Sequence, residues 1–196
     1  MPDRQDPVAH LRRDLVFEAD LPGGHYRFAT TWGLFSPRAV DDGSRLLLRH
    51  VEVAEDADCL DLGCGYGVLG VVLARLAPRG RTVLVDKDFV AVDYARRNLA
   101  TNGIGHGEAL LSNGFDGVRG RHFDTIVANL PAKVGKELLT IYLHDARSAL
   151  RPGGALWMVT VTGLRRFIER MSKEVFGDYD KVKQGPAYTV AVARKR

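Results

Sequence analysis

Two hydrophobic periods take turns along the chain, and their succession outlines a fold. Leu15-Val16-Phe17-Glu18-Ala19 and Tyr26-Arg27-Phe28-Ala29-Thr30 flank Leu21-Pro22-Gly23-Gly24, which predicts a β-hairpin closed by a glycine turn. Residues 44–51 predict a short helix capped by Asp41 or Asp42. Beyond it, short runs rich in β-branched residues alternate with longer amphipathic stretches. They predict strands at 58–62, 81–85, 108–111, 125–128 and 156–161, and helices at 68–76, 89–100, 134–150 and 164–176. Pro78 with Gly80, Asn102-Gly103 and Arg151-Pro152-Gly153-Gly154 read as helix stops. Two late strands, 179–183 and 188–193, are split only by a short segment holding Gly185-Pro186. A gap that short cannot carry a parallel crossover, so they pair antiparallel. The expected fold is α/β: five βα units in a doubly wound, mostly parallel seven-stranded sheet ending in an antiparallel hairpin, with the N-terminal β-hairpin as an extension. Ligands of such sheets lie at the carboxyl ends of the strands.

Composition narrows the class. At 196 residues and 45% hydrophobic content the chain can bury one core and is not a disordered segment. No run approaches the roughly 20 uncharged residues of a membrane helix, and the longest candidate, 155–164, reads as a buried strand. Met1 opens a polar, charged stretch without an apolar core, so no secretion signal is expected. Cys59 and Cys64 form no disulfide framework, and no Cys/His set has zinc spacing. A reduced, cytoplasmic protein without membrane or metal is the expectation. The formal net charge is +4, with 21 Arg against 7 Lys. Arginine forks suit phosphate, yet a solvated arginine-rich surface explains the balance as well.

The candidate chemistry begins after the first predicted strand, at Asp61-Leu62-Gly63-Cys64-Gly65-Tyr66-Gly67-Val68-Leu69-Gly70. Two frames compete. Gly65-x-Gly67-x-x-Gly70, with Asp86 downstream, fits the dinucleotide fingerprint. Asp61-x-Gly63-x-Gly65-x-Gly67 fits the S-adenosylmethionine loop of class I methyltransferases. A buried carboxylate needs a partner; a pyrophosphate would repel Asp61, whereas S-adenosylmethionine brings an ammonium and a sulfonium. The competing role for Asp61 is to bond local backbone amides. Asp86, closing the second strand, can accept both hydroxyls of a ribose and serves either cofactor. Asp88 is available to cap the following helix. Ser112-Asn113, closing the third strand, could bond an adenine amine or simply start a turn.

The fourth strand ends Val127-Ala128-Asn129-Leu130-Pro131-Ala132. Here the chain resembles the methyltransferase small-domain family, whose members carry Asn-Pro-Pro-aromatic at this point. It is most similar to the small-subunit ribosomal RNA guanine-N2 methyltransferases and related single-domain archaeal proteins. The likeness runs from about residue 16 and includes Gly33-Leu34-Phe35-Ser36, Asp41-Asp42-Gly43-Ser44-Arg45-Leu46-Leu47, the Asp61 loop, Asp86 and Gly135-Lys136-Glu137. It implies a class I, Rossmann-like fold: residues 44–196 as the S-adenosylmethionine-dependent methyltransferase domain and 1–43 as a substrate-side extension of the same compact unit.

The resemblance also implies roles. Asp61, Gly63, Cys64, Gly65, Tyr66, Gly67, Asp86, Lys87, Ser112, Asn113 and Asn129 would hold the cofactor. Asn129, Leu130 and Pro131 would act on the acceptor: the Asn129 side-chain oxygen and the Leu130 carbonyl would take the two N–H bonds of an exocyclic amine and help localise its lone pair. Arg27, Phe35, Arg38 and Lys133 would meet the substrate. The motif departs from the family at Leu130, which stands for the first proline, and at Ala132, which stands for the stacking aromatic. Tyr66, Trp32 or Phe35 could replace that ring. The implied activity is N-methylation of ribosomal RNA guanine. A protein glutamine or a small molecule is the alternative acceptor, and a non-catalytic RNA adaptor or an NAD-linked oxidoreductase the alternative class. RNA would be held by Arg27, Arg38, the Arg119 and Arg121 loop, Lys133 and the Arg194-Lys195-Arg196 tail.

Overall fold

A computed structural model of the chain describes residues 13–196; the opening polar stretch, on which the expectation about secretion rests, lies outside them. A hairpin of β1 (Leu15–Leu21) and β2 (Gly24–Thr30) forms a two-stranded sheet of its own. After α1 (Asp42–Leu48) come β3 (Cys59–Leu62), α2 (Val68–Leu76), β4 (Thr82–Asp86), α3 (Phe89–Thr101) and β5 (Gly107–Leu111). The chain then crosses back through β6 (Phe123–Asn129), α4 (Lys136–Ala149), β7 (Leu150–Val161), α5 (Arg165–Phe176), β8 (Asp180–Gln184) and β9 (Tyr188–Arg194). The seven strands stand in the order β5-β4-β3-β6-β7-β9-β8, with β3 to β7 parallel and β9 antiparallel to both its neighbours.

The central strands read as unbroken apolar runs because both faces are covered. In β3 and β4, Leu60, Leu62, Val83 and Val85 point into the core beneath α4 and α5, while Cys59 and Leu84 point into the core beneath α1, α2 and α3. Asp61 shares the second face, and a carboxylate there is held among helices rather than water. The reversal of strand order between β3 and β6 opens a crevice at their carboxyl ends.

Two elements differ from the expectation. The β5 crossover carries a single 3-10 turn, Asp116–Val118, so one of the five βα units has no α-helix. β7 starts at Leu150, so the Arg151-Pro152-Gly153-Gly154 stretch, which reads as a helix stop, is already strand. Gly153 donates to the Lys195 carbonyl and Lys195 to the Gly154 carbonyl, which carries the ladder through the glycines, with a register shift between Phe123 and Thr125.

The N-terminal hairpin stands outside the sheet but inside the core. Tyr26 and Phe28 are fully buried and pack with Phe17 and Tyr66. Its edge is held by side chains. Asn98 Oδ1 accepts from Ala29 N at 2.7 Å and Asn98 Nδ2 donates to Ala29 O at 2.8 Å. One helical turn on, Asn102 makes the same pair with Arg27 N and O. Two amides four residues apart on α3 thus stand in for a neighbouring strand. Among the described residues no helix is long and apolar enough to cross a membrane.

Candidate active site

A cavity of about 520 Å³ opens at the carboxyl ends of β3, β4 and β6, a size typical of small-molecule sites. Its floor is the glycine loop. Gly63 and Gly65 have φ of 73° and 54°, and a Cβ added at either would meet nothing within 4 Å, so the backbone is bare toward the cavity. Gly70 serves another purpose: a Cβ there would lie 2.3 Å from the Leu84 side chain, so this glycine lets α2 sit close on the sheet.

Asp61 is 1% exposed. Its Oδ2 accepts the Gly70 N–H at 2.7 Å, whereas Oδ1 is buried in the cavity wall without a partner among the described residues. Burial pushes its carboxyl up to about 7; the Gly70 bond opposes the rise and the Asp86 charge adds to it. Asp61 therefore does bond a local amide, and it also keeps one oxygen unused. Asp86 accepts the Gly65 N–H through Oδ2 at 2.8 Å and the Asp88 N–H through Oδ1 at 3.0 Å, which braces the loop and leaves each oxygen lone-pair capacity. Asp88 caps α3 through Val90 N. Burial also raises the Cys64 thiol, which leaves it a packed side chain rather than a thiolate.

Asn129 closes β6, the strand paired directly with β3. Its Nδ2 donates to Asp41 Oδ1 at 3.1 Å and to Ser44 Oγ at 3.2 Å. An ionised carboxylate only accepts, so Asp41 fixes which end of the amide is nitrogen, and Oδ1 faces the other way. Asp41 is also the N-cap of α1, accepting from Ser44 N at 3.1 Å. Leu130 is buried and its N–H donates to the Val159 carbonyl at 2.9 Å, a ladder bond that a proline could not make.

The structure sorts the three candidate rings. Tyr66 is buried, with its hydroxyl donating to the Ser36 and Ala39 carbonyls. Trp32 lies under the Arg38 guanidinium at 4.6 Å and outside the cavity lining. Phe35 lines the cavity, as Ala132 does, and is 67% exposed, which makes it the ring available to a ligand there.

The matched family is described as Methyltransferase small domain, and the match covers residues 25–192.

The chain belongs to that family.

A Citrobacter koseri "Ribosomal RNA small subunit methyltransferase C" is 34% identical over 92% of the chain and 54% of its own length. The Escherichia coli O1:K1 protein of the same name is 40% identical over 76% of the chain and 46% of its own length. The solved structure of "T. Thermophilus 16S rRNA N2 G1207 methyltransferase" in complex with AdoMet and guanosine superposes with a TM-score of 0.85 at 31% identity, covering 93% of the chain and 51% of that protein. The chain spans about half the length of the curated relatives it matches.

Within this methyltransferase small domain the expected site residues divide. Asp61, Gly63, Cys64, Gly65, Tyr66, Asp86, Lys87, Ser112, Phe35, Asn129, Leu130 and Pro131 share the cavity lining. Gly67 does not line it and instead takes φ 95° as the cap of α2. Ser112 spends its hydroxyl on the turn, donating to Gly114 O and accepting from Gly117 N, and Asn113 faces away, exposed. Lys133 is exposed beside the mouth, outside the lining.

Arg38 is taken up on Trp32 outside the cavity lining, and Arg27, the Arg119 and Arg121 loop and the C-terminal tail sit at the wrong end. Because β9 runs antiparallel to β7, Arg194 lies opposite Ala155, at the amino end of β7. There it pairs with Asp180, and Lys195 donates to the Leu150 carbonyl. Arg121 pairs with Glu108 and Arg119 with Asp116. Arg27 sits by Asn102 at the C-cap of α3, again away from the cavity. The residues not named for the site were Asp41 and Ser44, which read as a helix start and as part of the family likeness, and Tyr142 of α4, whose ring lies against Gly114 in the cavity wall. The Asp-Asp-Gly-Ser segment was the available signal for the first two. Among the described residues no cluster of three or more His, Cys, Asp or Glu could hold a metal.

Proposed function

We propose that this chain is an S-adenosylmethionine-dependent N-methyltransferase acting on the exocyclic N2 of guanine in ribosomal RNA. The names of its relatives support the reading, and so does the lining of the cavity. The observation that carries it is the pairing of an orphaned buried carboxylate oxygen, Asp61 Oδ1, with an oriented amide, Asn129, across one cavity. A buried carboxylate oxygen without a donor is costly, and the ammonium of S-adenosylmethionine is a donor of the right charge. The bare backbone at Gly63 and Gly65 leaves room for the ligand, and Asp86 would take the ribose hydroxyls. Lys87 and Ser112 would flank the adenosine end.

The cofactor, when bound, supplies an electrophilic methyl group on a sulfonium leaving group. The rest falls to this chain. A guanine N2 lone pair is delocalised into the ring, so it must be turned toward the methyl and partly released from that delocalisation. Asn129 Oδ1 would accept one N–H and the Leu130 carbonyl the other, both acceptors held before substrate arrives. Asp41 and Ser44 keep the Asn129 oxygen aimed inward, and fixed acceptors need no reorganisation during reaction. Phe35 would stack on the base, supplying about 1–3 kcal/mol that Ala132 cannot.

The test is incubation with methyl-labelled S-adenosylmethionine and small ribosomal subunits, followed by nucleoside analysis. The expected product is N2-methylguanosine. Cofactor binding without label in any RNA, or label in another nucleoside, would overturn the proposal.

A further inference from the structure

Charge is distributed unevenly between the two ends of the sheet. At the amino ends, Arg79, Arg121, Arg151 and Arg194 are paired with Glu55, Glu108, Asp58 and Asp124, and Asp180. At the carboxyl ends, beside the cavity, Lys133, Lys136, Arg165, Arg166 and Arg170 make no ion pair among the described residues. Lys136 opens α4, and Arg165 and Arg166 open α5. A helix N-terminus carries partial positive charge, so a cation there is unfavourable where an acid would stabilise. α5 has no acid in its first turn and no side-chain cap.

The cations are also arranged around a ring. Phe167, half-buried on α5, has Lys136 Nζ 5.6 Å and the Arg170 guanidinium 5.9 Å from its centroid. Val134 and Leu138, on either side of Lys136, line the cavity, as does Val161 just before the turn that leads into α5. An aromatic face between unpaired cations, at the mouth of a base-sized cavity, suits single-stranded nucleic acid: phosphates on the cations, a base on the ring.

We infer that the N-terminal turns of α4 and α5 form the track for the RNA strand, with Lys136, Arg165, Arg166 and Arg170 on the phosphates and Phe167 under a base flanking the target. The inference rests on the proposed RNA substrate. It replaces the C-terminal tail and the Arg119–Arg121 loop as the RNA-binding surface.

The experiment is an anisotropy titration of the full chain with a fluorescein-labelled single-stranded oligoribonucleotide across a range of salt. Lys136→Glu/Arg166→Glu should weaken binding about tenfold or more and flatten the log–log salt slope by about 1.4, two contacts at about 0.7 each. Phe167→Ala should weaken binding about fivefold or more and leave the slope unchanged. Arg147→Glu/Arg196→Glu, with the same change in net charge, should behave as wild type. The two charge variants should keep the wild-type melting temperature, Phe167→Ala should lower it somewhat because the ring packs against the core beneath α4 and α5, and all three should keep the wild-type cofactor affinity. A front double variant indistinguishable from the Arg147/Arg196 pair overturns the track. Methyl incorporation by wild type, read in parallel, separates the two claims. Incorporation with an unaffected front variant removes the track and keeps the function. Binding lost in the variant, without incorporation by wild type, keeps the track and removes the function. No RNA binding removes both.

Discussion

Asn129 donates to the Asp41 carboxylate at 3.1 Å, although 88 positions separate the two residues. The bond ties the end of the fourth parallel strand to the cap of the first helix, and it settles the orientation of an amide whose two ends differ by a lone pair. Asp41→Ala should cost about 1 kcal/mol in stability for the lost cap. Methyl transfer should fall about tenfold, equivalent to about 1.4 kcal/mol. Asp41→Asn can accept both bonds and should restore most of the rate. Melting curves and single-turnover rates for the two variants check this; equal rates for both would mean that the contact serves α1 alone.

Asn129 lines the same cavity without bonding the orphaned Asp61 oxygen, and the proposal gives it the acceptor rather than the cofactor. Asn129→Ala should leave S-adenosylmethionine affinity nearly unchanged while turnover falls about a hundredfold, the scale of losing one preorganised group. Calorimetry and methyl incorporation measured on the same preparation give the two numbers.

Asp61 should make both stability and affinity depend on pH, in opposite senses. Its folded-state carboxyl is raised from 3.8 to about 7 by burial. The folded chain therefore holds a proton that the unfolded chain releases near pH 4. That stabilisation, of order 4 kcal/mol, is full below pH 4 and is lost as pH rises through about 7. An ammonium ligand needs the ionised form, so cofactor affinity should rise over the same interval. Asp61→Asn keeps an acceptor for Gly70 and should flatten both profiles, with weaker cofactor binding at pH 8. Melting curves between pH 5 and 8 and binding isotherms at both ends read the two slopes; a wild-type affinity that does not change across the range would show that Asp61 faces no cation.

Asp86→Ala removes the acceptor of two backbone N–H groups as well as the proposed ribose partner. S-adenosylmethionine binding should weaken by about 1–3 kcal/mol. Titration with NAD serves as the comparison: tight NAD binding with none for S-adenosylmethionine would return the glycine loop to the dinucleotide frame.

Most of the fold was legible because the central strands and helices differ in length and period. Val68 to Leu76 and Asp88-capped α3 follow directly from apolar spacing and stop residues. β7 was underestimated because Gly153 and Gly154 carry no pattern, and only their ladder partner at Lys195 shows them to be strand. In the site, Asp61, Asp86 and Asn129 announced themselves as polar residues at the ends of apolar strands. Asp41 did not, since a cap residue looks the same whether or not a distant amide leans on it. The surface cations were the least readable. Arg165 and Arg194 are equivalent in sequence, and only the strand directions put one beside the cavity and the other at the far end.

The Asn98 side chain has a third bond, from Nδ2 to the Tyr66 carbonyl at 2.8 Å. A single buried amide thus holds the hairpin, the third helix and the glycine loop. The hairpin and the glycine loop at the floor of the cavity therefore share one fastening. Loosening at either place deprives the same amide of a partner and is transmitted to the other. Glycine loop and hairpin are expected to be kept together or given up together, as one cooperative unit.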